Sequence, residues 1–353
     1  MAFMTPPPIG LDIGTSAVRA AQVAVGRGIP SLISFGQVAL PQGAVVDGEI
    51  RDAGAVSEAI SQLWKRTKLR SKRAVLGVAN QRVVVRQVDL PFLEEKDFRA
   101  SLRFQVADHI PMPVESAELD FQVLEDFTTE GGDHMMRVLL VAAATDMIES
   151  FVDAASAAGI EPVGVDLAPF AVARAVSAAA RRESGVAGAE AVIDVGAGVT
   201  NIVVHHNGEP RFVRILLVGG DDASTALAEE LAISFDEAEA TKLDLGRGVG
   251  SPEAQRVLNR QVALLVEEIR GSLDYYLSQE DSEPLSSVIL TGGGSLTPGL
   301  ANHLEQTIRT QIQRGAVLSQ VNAARSGLTE EQLAQVEPVA AAAIGLAMGA
   351  TSR

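Results

Sequence analysis

Two stretches of the chain share one pattern of apolar and polar positions. Residues 9–38 and 192–218 each begin with a short apolar run that ends in an aspartate, and an apolar residue and a glycine follow. A turn of small residues, a second β-type run, a glycine-containing turn and a third run complete each stretch. Such runs, broken by turn residues, are typical of strands joined by tight turns. The pattern therefore predicts one three-stranded meander used twice, and two related half-domains that face one another.

A helical period marks a segment between the two meanders. Phe98, Leu102, Val106 and Ile110 recur at every fourth position, which predicts an amphipathic helix that Pro111 ends. Strand-like runs accompany this helix, so the segment is predicted to be a small α+β insertion. The chain as a whole is predicted to have an α/β fold with duplicated domains.

The predicted elements also suggest where the parts of the chain begin and end. A first subdomain, an inserted α+β subdomain and a second half with its own helical insertion are expected, joined by a linker at residues 183–188. Their predicted ranges are 9–90 with 160–185 and 336–350, then 91–159, and then 189–335 with the helical insertion at about 224–284.

Charge and composition narrow the range of partners. The chain has 353 residues, a formal net charge of −16 and no cysteine. A surface this negative repels phosphate backbones and anionic lipids, so nucleic acid and bare membrane are poor partners. No apolar run reaches the roughly 20 residues of a spanning helix, and residues 1–8 do not resemble a secretory signal. We therefore expect a soluble, cytoplasmic protein that reaches a membrane only through a partner.

The first meander carries a candidate anion-binding turn. Gly14 lets the backbone turn sharply after Asp12, and Thr15 and Ser16 add hydroxyl groups to the exposed backbone amides. Asp12 is placed to hold a hydrated Mg²⁺, which prefers carboxylate and water oxygens. Arg19 could reach a phosphate from the next strand. An ordinary hairpin with an exposed arginine explains this turn equally well when it is taken alone.

The second meander repeats the arrangement with Asp194, Gly196, Gly198 and Thr200. A dinucleotide-binding interpretation of its glycines fails, because the sixth position is Asn201 and a strand continues where that motif requires a helix. With the two turns facing each other, a polyphosphate could be clamped between them. The pairing therefore favours a ligand site over two unrelated hairpins.

Two further glycine-containing loops precede predicted helices. Gly292, Gly293 and Gly294 follow an apolar strand, and Thr297 is predicted to cap the helix that comes next, with Pro298 at its first position. A backbone of this kind can approach an anionic or flat ligand closely. After Gly219 and Gly220, the neighbouring Asp221 is predicted to be a helix N-cap.

The order of these turns resembles the phosphate-one, phosphate-two and adenosine motifs of the superfamily of actin, sugar kinases and heat-shock chaperone ATPases. More narrowly, residues 90–126, 163–175, 219–243 and 267–276 resemble the PilM family, the actin-like proteins of type IV pilus assembly. The resemblance implies an actin-like (ribonuclease H-like) fold with an inserted subdomain of the kind found in PilM and FtsA. It implies ATP and Mg²⁺ between the halves, with Asp12 and Asp194 around the metal through water.

The resemblance also extends the expected nucleotide site. Glu239 and Lys242 match the family's ribose and adenine contacts. The full set expected around the nucleotide is Asp12, Gly14, Thr15, Ser16, Arg19, Asp194, Gly196, Gly198, Thr200, Asn201, Gly220, Glu239, Lys242, Gly292, Gly293 and Gly294. Asp166 is the one candidate for a general base, and it could equally anchor a helix. Without a positioned base, hydrolysis is expected to be slow or absent.

The resemblance implies a protein partner as well. This is the short cytoplasmic N-terminal peptide of PilN, an inner-membrane protein, docked beside the insertion, with other pilus assembly components nearby and self-association also allowed. The expected location is the cytoplasmic face of the inner membrane. Two alternatives stay open: a small-molecule kinase of the same superfamily, and a filament-forming protein like FtsA, although the Ala-rich end of the chain lacks the apolar-basic helix that anchors FtsA.

Overall fold

The computed structural model describes residues 7–26, 28–183, 188–280 and 282–350, and its first sheet starts with the predicted meander. Residues 184–187 of the predicted linker lie outside these ranges. The elements up to the insertion are β1 (Ile9–Ile13), β2 (Ala17–Ala24), β3 (Ser31–Ala39), β4 (Val45–Val46), β5 (Glu49–Ile50), α1 (Ala53–Thr67) and β6 (Arg73–Val78). β2 lies antiparallel to β1 and β3, whereas β6 lies parallel to β1. This is the arrangement expected when a helical crossover returns the chain to the same sheet.

The inserted subdomain is a three-stranded antiparallel sheet covered by one helix. Its elements are β7 (Val83–Pro91), α2 (Glu95–Gln105), β8 (Ala117–Thr128) and β9 (His134–Ala144), with the strands in the order β7-β9-β8. The four apolar residues predicted to form one helical face are all buried against this sheet. The α-helix itself ends at Gln105, and a 3₁₀ turn over Ala107–His109 carries the buried face onward.

The next elements return to the first sheet. They are α3 (Thr145–Ala157), β10 (Glu161–Leu167) and α4 (Ala168–Glu183). β10 lies parallel to β6, which completes a five-stranded sheet in the order β10-β6-β1-β2-β3. Met147 and Phe151 of α3 are buried in the same apolar cluster as α1 and β1.

The predicted boundaries of the insertion at residues 91 and 159 therefore need correction. β7 was assigned to the first subdomain, but it hydrogen-bonds β9 and belongs to the inserted sheet. α3 was assigned to the insertion, but it packs on the first sheet. A strand's alternation shows that one face is buried, yet it does not show which sheet provides the partner, so both ends of the insertion were misplaced.

The second half repeats the first sheet's topology. Its elements are β11 (Ala189–Val195), β12 (Thr200–His206), β13 (Glu209–Leu216), α5 (Gly220–Leu231), α6 (Phe235–Gly246), α7 (Pro252–Leu277), β14 (Leu285–Thr291), α8 (Leu300–Ile308), β15 (Ile312–Arg314), α9 (Glu330–Val336) and α10 (Ala341–Gly349). The strand order is β13-β12-β11-β14-β15, with an antiparallel meander followed by two parallel strands. This confirms the predicted duplication.

Helices α4 and α10 hold the two sheets together. Val172 of α4 and Ile344 of α10 lie in one buried cluster with Phe35 of the first sheet and Ile289 of the second. α10 is made largely of alanine and glycine, so it approaches its neighbours closely. Within the described ranges, no helix combines the length and the apolar character needed to cross a membrane.

Candidate functional site: a cleft between the two meanders

The two meanders meet at a cleft of about 760 Å³, within the size range of small-molecule sites. Asp12 near the end of β1 and Asp194 near the end of β11 both line it. The two aspartates occupy equivalent positions in the duplicated sheets, since each is the register partner of a polar residue in the next strand. That residue is Arg19 in the first half and Asn201 in the second. The structure thus brings the two predicted strand-end carboxylates into one cavity.

The turns that follow these aspartates contact one another. Each is closed by a backbone hydrogen bond, from Gly14 N to Ala17 O at 3.1 Å and from Gly196 N to Val199 O at 2.8 Å. A Cβ atom on Gly198 would lie 3.0 Å from Thr15 Oγ1, closer than side chains normally approach. Because Gly198 has no side chain, the two turns can come into direct contact at Gly198 and Thr15.

Burial and the difference in partners set the electrostatics of the aspartate pair. Burial raises the pKa of Asp12, while the Arg19 guanidinium, whose Nη1 lies 3.5 Å from Asp12 Oδ2, opposes the rise. Burial raises the pKa of Asp194 to about 6. Asn201 Nδ2, 3.3 Å from Asp194 Oδ2, opposes this rise and the Asp12 charge adds to it. A cation in the cleft would favour the ionised form of both carboxylates.

The polar atoms of the cleft fit a magnesium-bound polyphosphate. Arg19 Nε and Asn201 Oδ1 are buried, and neither has a hydrogen-bond partner among the described residues. A buried donor beside a buried acceptor and two carboxylates suits an anion together with a hydrated cation. Among the described residues there is no cluster of three or more His, Cys, Asp or Glu side chains that could hold a metal. A Mg²⁺ here would therefore keep several water ligands, with Asp12 and Asp194 around it.

The glycine loop after β14 forms another wall. Gly292 has φ +89°, and a Cβ atom there would lie 2.2 Å from Val195 O, so only glycine fits without rearrangement. A 3₁₀ turn over Gly293–Leu296 follows. The predicted helix start at Thr297 is wrong, because Thr297 N bonds back to Gly294 O and α8 begins after Gly299. Pro298 lines the cleft instead of opening the helix.

A buried lysine ties α6 to the start of α5. Lys242 Nζ lies 2.9 Å from Gly220 O, 2.6 Å from Ser224 Oγ and 2.6 Å from Glu239 Oε1. These contacts use all three of its N–H groups. Lys242 lines the cleft, but its ammonium group holds protein atoms together, whereas Glu239 keeps its second carboxylate oxygen outside these contacts.

The N-terminus of α5 differs from the prediction for Asp221. The N-cap position is Gly219, whose N–H donates to Asp222 Oδ2 at 2.7 Å, so the capping carboxylate belongs to the next residue. Asp221 lies in the first turn and lines the cleft. Burial raises the pKa of Asp221, and the nearby Lys242 opposes the rise.

Three predicted site residues do not line the cleft: Gly198, Thr200 and Asp166. Gly198 lies against Thr15 of the facing turn instead. Thr200 is fully buried, and its Oγ1 donates to Val218 O at 2.7 Å, so it holds β12 to the end of the meander. Asp166 Oδ2 lies 3.0 Å from Arg174 Nη2, and its Oδ1 accepts from Leu167 N at 2.8 Å. These contacts anchor α4 to β10 and leave Asp166 without the position that a general base needs.

Sequence reasoning missed an apolar wall of the cleft. It is lined by Phe235 and Leu243 of α6 together with Leu296 and Pro298. Leu243 is 58% exposed, although the other apolar residues of α6 are largely turned inward. An apolar residue that falls outside the buried face of a helix can be recognised in the sequence. The sequence does not show which part of the protein, or which ligand, that residue contacts. A flat apolar group such as a purine base would suit this wall.

The duplicated sheets closed around a cleft with paired strand-end aspartates define an actin-like ATPase fold. Two solved structures share this fold: ethanolamine utilization protein EutJ from Carboxydothermus hydrogenoformans (17% identity, TM-score 0.56, covering 99% of this chain and 91% of that one) and MreB5 of Spiroplasma citri bound to ADP (14% identity, TM-score 0.52, covering 89% and 92%).

A family model described as type IV pilus assembly protein PilM matches residues 10–351, so the chain belongs to the PilM family. A solved structure of the PilM-PilN type IV pilus biogenesis complex aligns with a TM-score of 0.84 at 27% identity, and the alignment covers 98% of both chains. Cell division protein FtsA of Bacillus subtilis is 20% identical over 86% of this chain and 77% of its own length.

Proposed function

We propose that the protein is an ATP- and magnesium-binding scaffold of type IV pilus assembly. In this proposal Asp12 and Asp194 hold a hydrated Mg²⁺, and the amides of the turns that follow them bind the phosphates. The wall formed by Phe235, Leu243 and Pro298 receives the base, and Glu239 reaches the ribose. Membership of the PilM family favours pilus assembly over the kinase and filament alternatives.

The observation that carries the nucleotide assignment is the convergence of Asp12 and Asp194 in one cleft. Two ordinary hairpins would have no reason to bury a carboxylate pair against each other, since burying like charges is costly. Arg19 Nε and Asn201 Oδ1, which have no hydrogen-bond partner in the described part of the chain, add to this cost. A magnesium-bound polyphosphate would relieve both costs at once.

The protein is proposed to hold ATP rather than to turn it over quickly. The carboxylates that line the cleft are Asp12, Asp194, Asp221 and Glu239. The first pair is assigned to the metal, and Glu239 is bonded to Lys242. Asp221 is the remaining carboxylate, and it lies at the first turn of α5 rather than in either phosphate-binding turn. With no assigned base for the attacking water, slow or absent hydrolysis is expected.

The proposed partner is the cytoplasmic N-terminal peptide of a PilN-type membrane protein. The support is the alignment over nearly the whole chain with a solved structure of the PilM-PilN type IV pilus biogenesis complex. Capture of a short peptide beside an inserted subdomain is a familiar recognition mode. The protein would then lie at the cytoplasmic face of the inner membrane through this partner.

The nucleotide site is tested by Asp12→Asn and Asp194→Asn, which remove charge and keep shape. Equilibrium dialysis with labelled ATP and Mg²⁺ should show each variant losing about a hundredfold in affinity, roughly 2.7 kcal/mol. Asp89→Asn is the matched control, since Asp89 pairs with Arg137 on the inserted sheet. Wild-type affinity in either cleft variant would refute the site.

The partner assignment is tested separately, by titrating the synthetic PilN peptide with and without Mg-ATP.

A further inference from the structure

We propose that the outer edge of β8, with the groove beside it, is a docking site for an extended, basic segment of a partner protein. β8 is an edge strand of the inserted sheet and hydrogen-bonds β9 alone within the described structure. Its other edge presents a row of backbone N–H and C=O groups. Such an edge can accept another strand by continuing the sheet's hydrogen bonding.

The length of β8 makes it suitable for strand addition. β8 runs for 12 residues, whereas strands typically have about 5–6 and natural edge strands are usually kept short. It carries no proline, which would otherwise interrupt pairing. One irregularity in its pairing with β9 falls between Val123 and Glu125, so the first part of the strand is the most regular.

A groove lies beside that first part of β8. It encloses about 390 Å³ and is lined by residues 99–104 of α2 and by Glu118 and Leu119 of β8. Phe104 is 85% exposed, which is unusual for an aromatic side chain in the absence of a partner. An added strand would direct every second side chain toward one face of the sheet. The groove between Phe104 and Leu119 could therefore receive an apolar side chain of the added strand.

The arginines of the groove are already engaged within the protein. Arg99 Nη2 lies 3.2 Å from Glu95 Oε1, and its guanidinium lies 4.7 Å from the centre of the Phe121 ring. Arg103 donates to Val114 O. Arg99 is compensated by the Glu95 carboxylate, whereas Arg103 bonds a neutral carbonyl and keeps its positive charge beside the groove. The acidic charge offered to a docked strand therefore comes from the edge of β8 itself.

That charge is acidic, which determines the kind of occupant. β8 contains four carboxylates, Glu118, Asp120, Glu125 and Asp126, and no lysine or arginine. Glu125 pairs with Arg137 and Asp126 with His134, whereas Glu118 and Asp120 have no ion pair among the described residues. Lysine or arginine on an added strand would complement these two. Two copies of β8 would bring acidic strands together, which disfavours self-pairing.

The test uses the full chain and a synthetic probe. The probe is a capped peptide of about ten residues that alternates lysine and valine, long enough to cover the regular first part of the strand. One control peptide replaces lysine by glutamate, and another carries a central proline. Fluorescence anisotropy should show saturable binding of the first peptide and about tenfold weaker binding of either control.

Two surface variants locate the binding. Glu118→Lys with Asp120→Lys, and separately Phe104→Ser, should each weaken binding about tenfold. Glu58→Lys on the exposed face of α1 is the charge control and should leave binding essentially unchanged. Hydrogen exchange should show new protection of β8 amides in the wild-type complex, independently of ATP and of the Asp12→Asn substitution. These measurements therefore test the docking site independently of the nucleotide site.

Three outcomes would overturn the proposal. The first is equal binding of the proline peptide, because strand addition requires its backbone donors. The second is unchanged affinity in both surface variants, or protection elsewhere than β8. The third is concentration-dependent protection of β8 in the protein alone together with a dimer in sedimentation, which would assign the edge to a second copy.

Discussion

Equivalent aspartates in the two halves have unequal partners. Asp12 faces the cation of Arg19, whereas Asp194 faces the neutral amide of Asn201. Burial raises the pKa of both groups, but among the described residues no cation lies as close to Asp194 as Arg19 does to Asp12, and the pKa of Asp194 reaches about 6. The duplication thus supplies two carboxylates of different basicity at one cleft, and Asp194 has the greater need of a bound cation at neutral pH.

Asp194 makes the ligand-free protein less stable as the pH rises. The folded protein keeps a proton on Asp194 up to about pH 6, whereas the unfolded chain releases it near 3.8. Between these values the folded state binds more protons, so the free energy of unfolding falls as the pH increases. Asp194→Asn should therefore be more stable than wild type at pH 7, by about 1–2 kcal/mol after allowance for partial exposure.

Urea denaturation between pH 4 and 7, without nucleotide or Mg²⁺, measures this difference. The gap between Asp194→Asn and wild type should narrow steadily as the pH falls toward 4. Asp126→Asn, at an exposed position on the inserted sheet, is the control. A gap that stays constant with pH would show that Asp194 titrates normally in the folded protein.

The contact between the two turns makes Gly198 intolerant of a side chain. A Cβ atom there would meet both Thr15 Oγ1 at 3.0 Å and Thr15 Cγ2 at 3.1 Å, so Gly198→Val should cost about 1–3 kcal/mol of stability. Gly26→Val is the control, because a Cβ atom at Gly26 meets nothing within 4 Å. Thermal unfolding checks the loss, and adding Thr15→Ala should recover part of it. An unchanged melting temperature in Gly198→Val would contradict the close contact between Gly198 and Thr15.

At the scale of elements, Lys242 fixes the position of α6 against α5. Its buried ammonium group bonds Gly220 O, Ser224 Oγ and Glu239 Oε1. Lys242→Met therefore removes the donor to Gly220 O and Ser224 Oγ and leaves Glu239 Oε1 with the Ser224 hydroxyl alone. The expected loss is about 1–3 kcal/mol in the free energy of unfolding, measured by urea denaturation. Lys65→Met, the same change at an exposed position of α1, should have little effect. Equal losses in the two variants would show that the buried contacts contribute nothing measurable.

Elements whose apolar pattern is local were predictable from the sequence, and their partners were not. The two meanders and the face of α2 follow from periods of two and about four residues. The assignment of β7 to the inserted sheet depends on β9, which lies about 50 residues further along the chain. The start of α8 was misplaced because Thr297 and Pro298 form a good local helix signal, whereas the 3₁₀ turn after Gly292 uses Thr297 instead.

In the candidate site, too, the residues with a local sequence pattern were predictable, and those that depend on tertiary contacts were not. Asp12 and Asp194 could be predicted because a strand that ends in aspartate before a glycine turn is visible in the sequence, and its repetition adds weight. Asp166 could not be excluded, since its ion pair with Arg174 joins β10 to α4 through side-chain geometry alone. The apolar wall formed by Phe235, Leu243, Leu296 and Pro298 depends on how α6 packs beside the glycine loop after β14. No local sequence pattern predicts that packing.

At the scale of the whole molecule, the inserted subdomain touches both halves. It is attached through the first sheet, yet Gln87 Nε2 of β7 donates to Arg211 O of β13 at 2.9 Å. β13 leads directly to Gly219 and Gly220 beside the cleft. The insertion is therefore linked to a wall of the candidate nucleotide site as well as to the sheet that carries it.

Gln87→Ala should loosen this link without unfolding either half. The lost hydrogen bond is worth about 1 kcal/mol, which corresponds to about a fivefold increase in local opening. Hydrogen exchange should accelerate in β7 and β13 and stay unchanged in β1 and β6. Gln62→Ala, which removes a bond to Glu58 within α1, is the matched control. If Mg-ATP slows exchange in β13 of the wild type, the part of the effect that passes to β7 through Gln87 should be lost in Gln87→Ala, because coupling between two sites requires an element that both of them bias. Equal ATP-dependent protection of β7 in wild type and Gln87→Ala would place the coupling in the other contacts between β7 and β13 or in the cluster formed by α4 and α10.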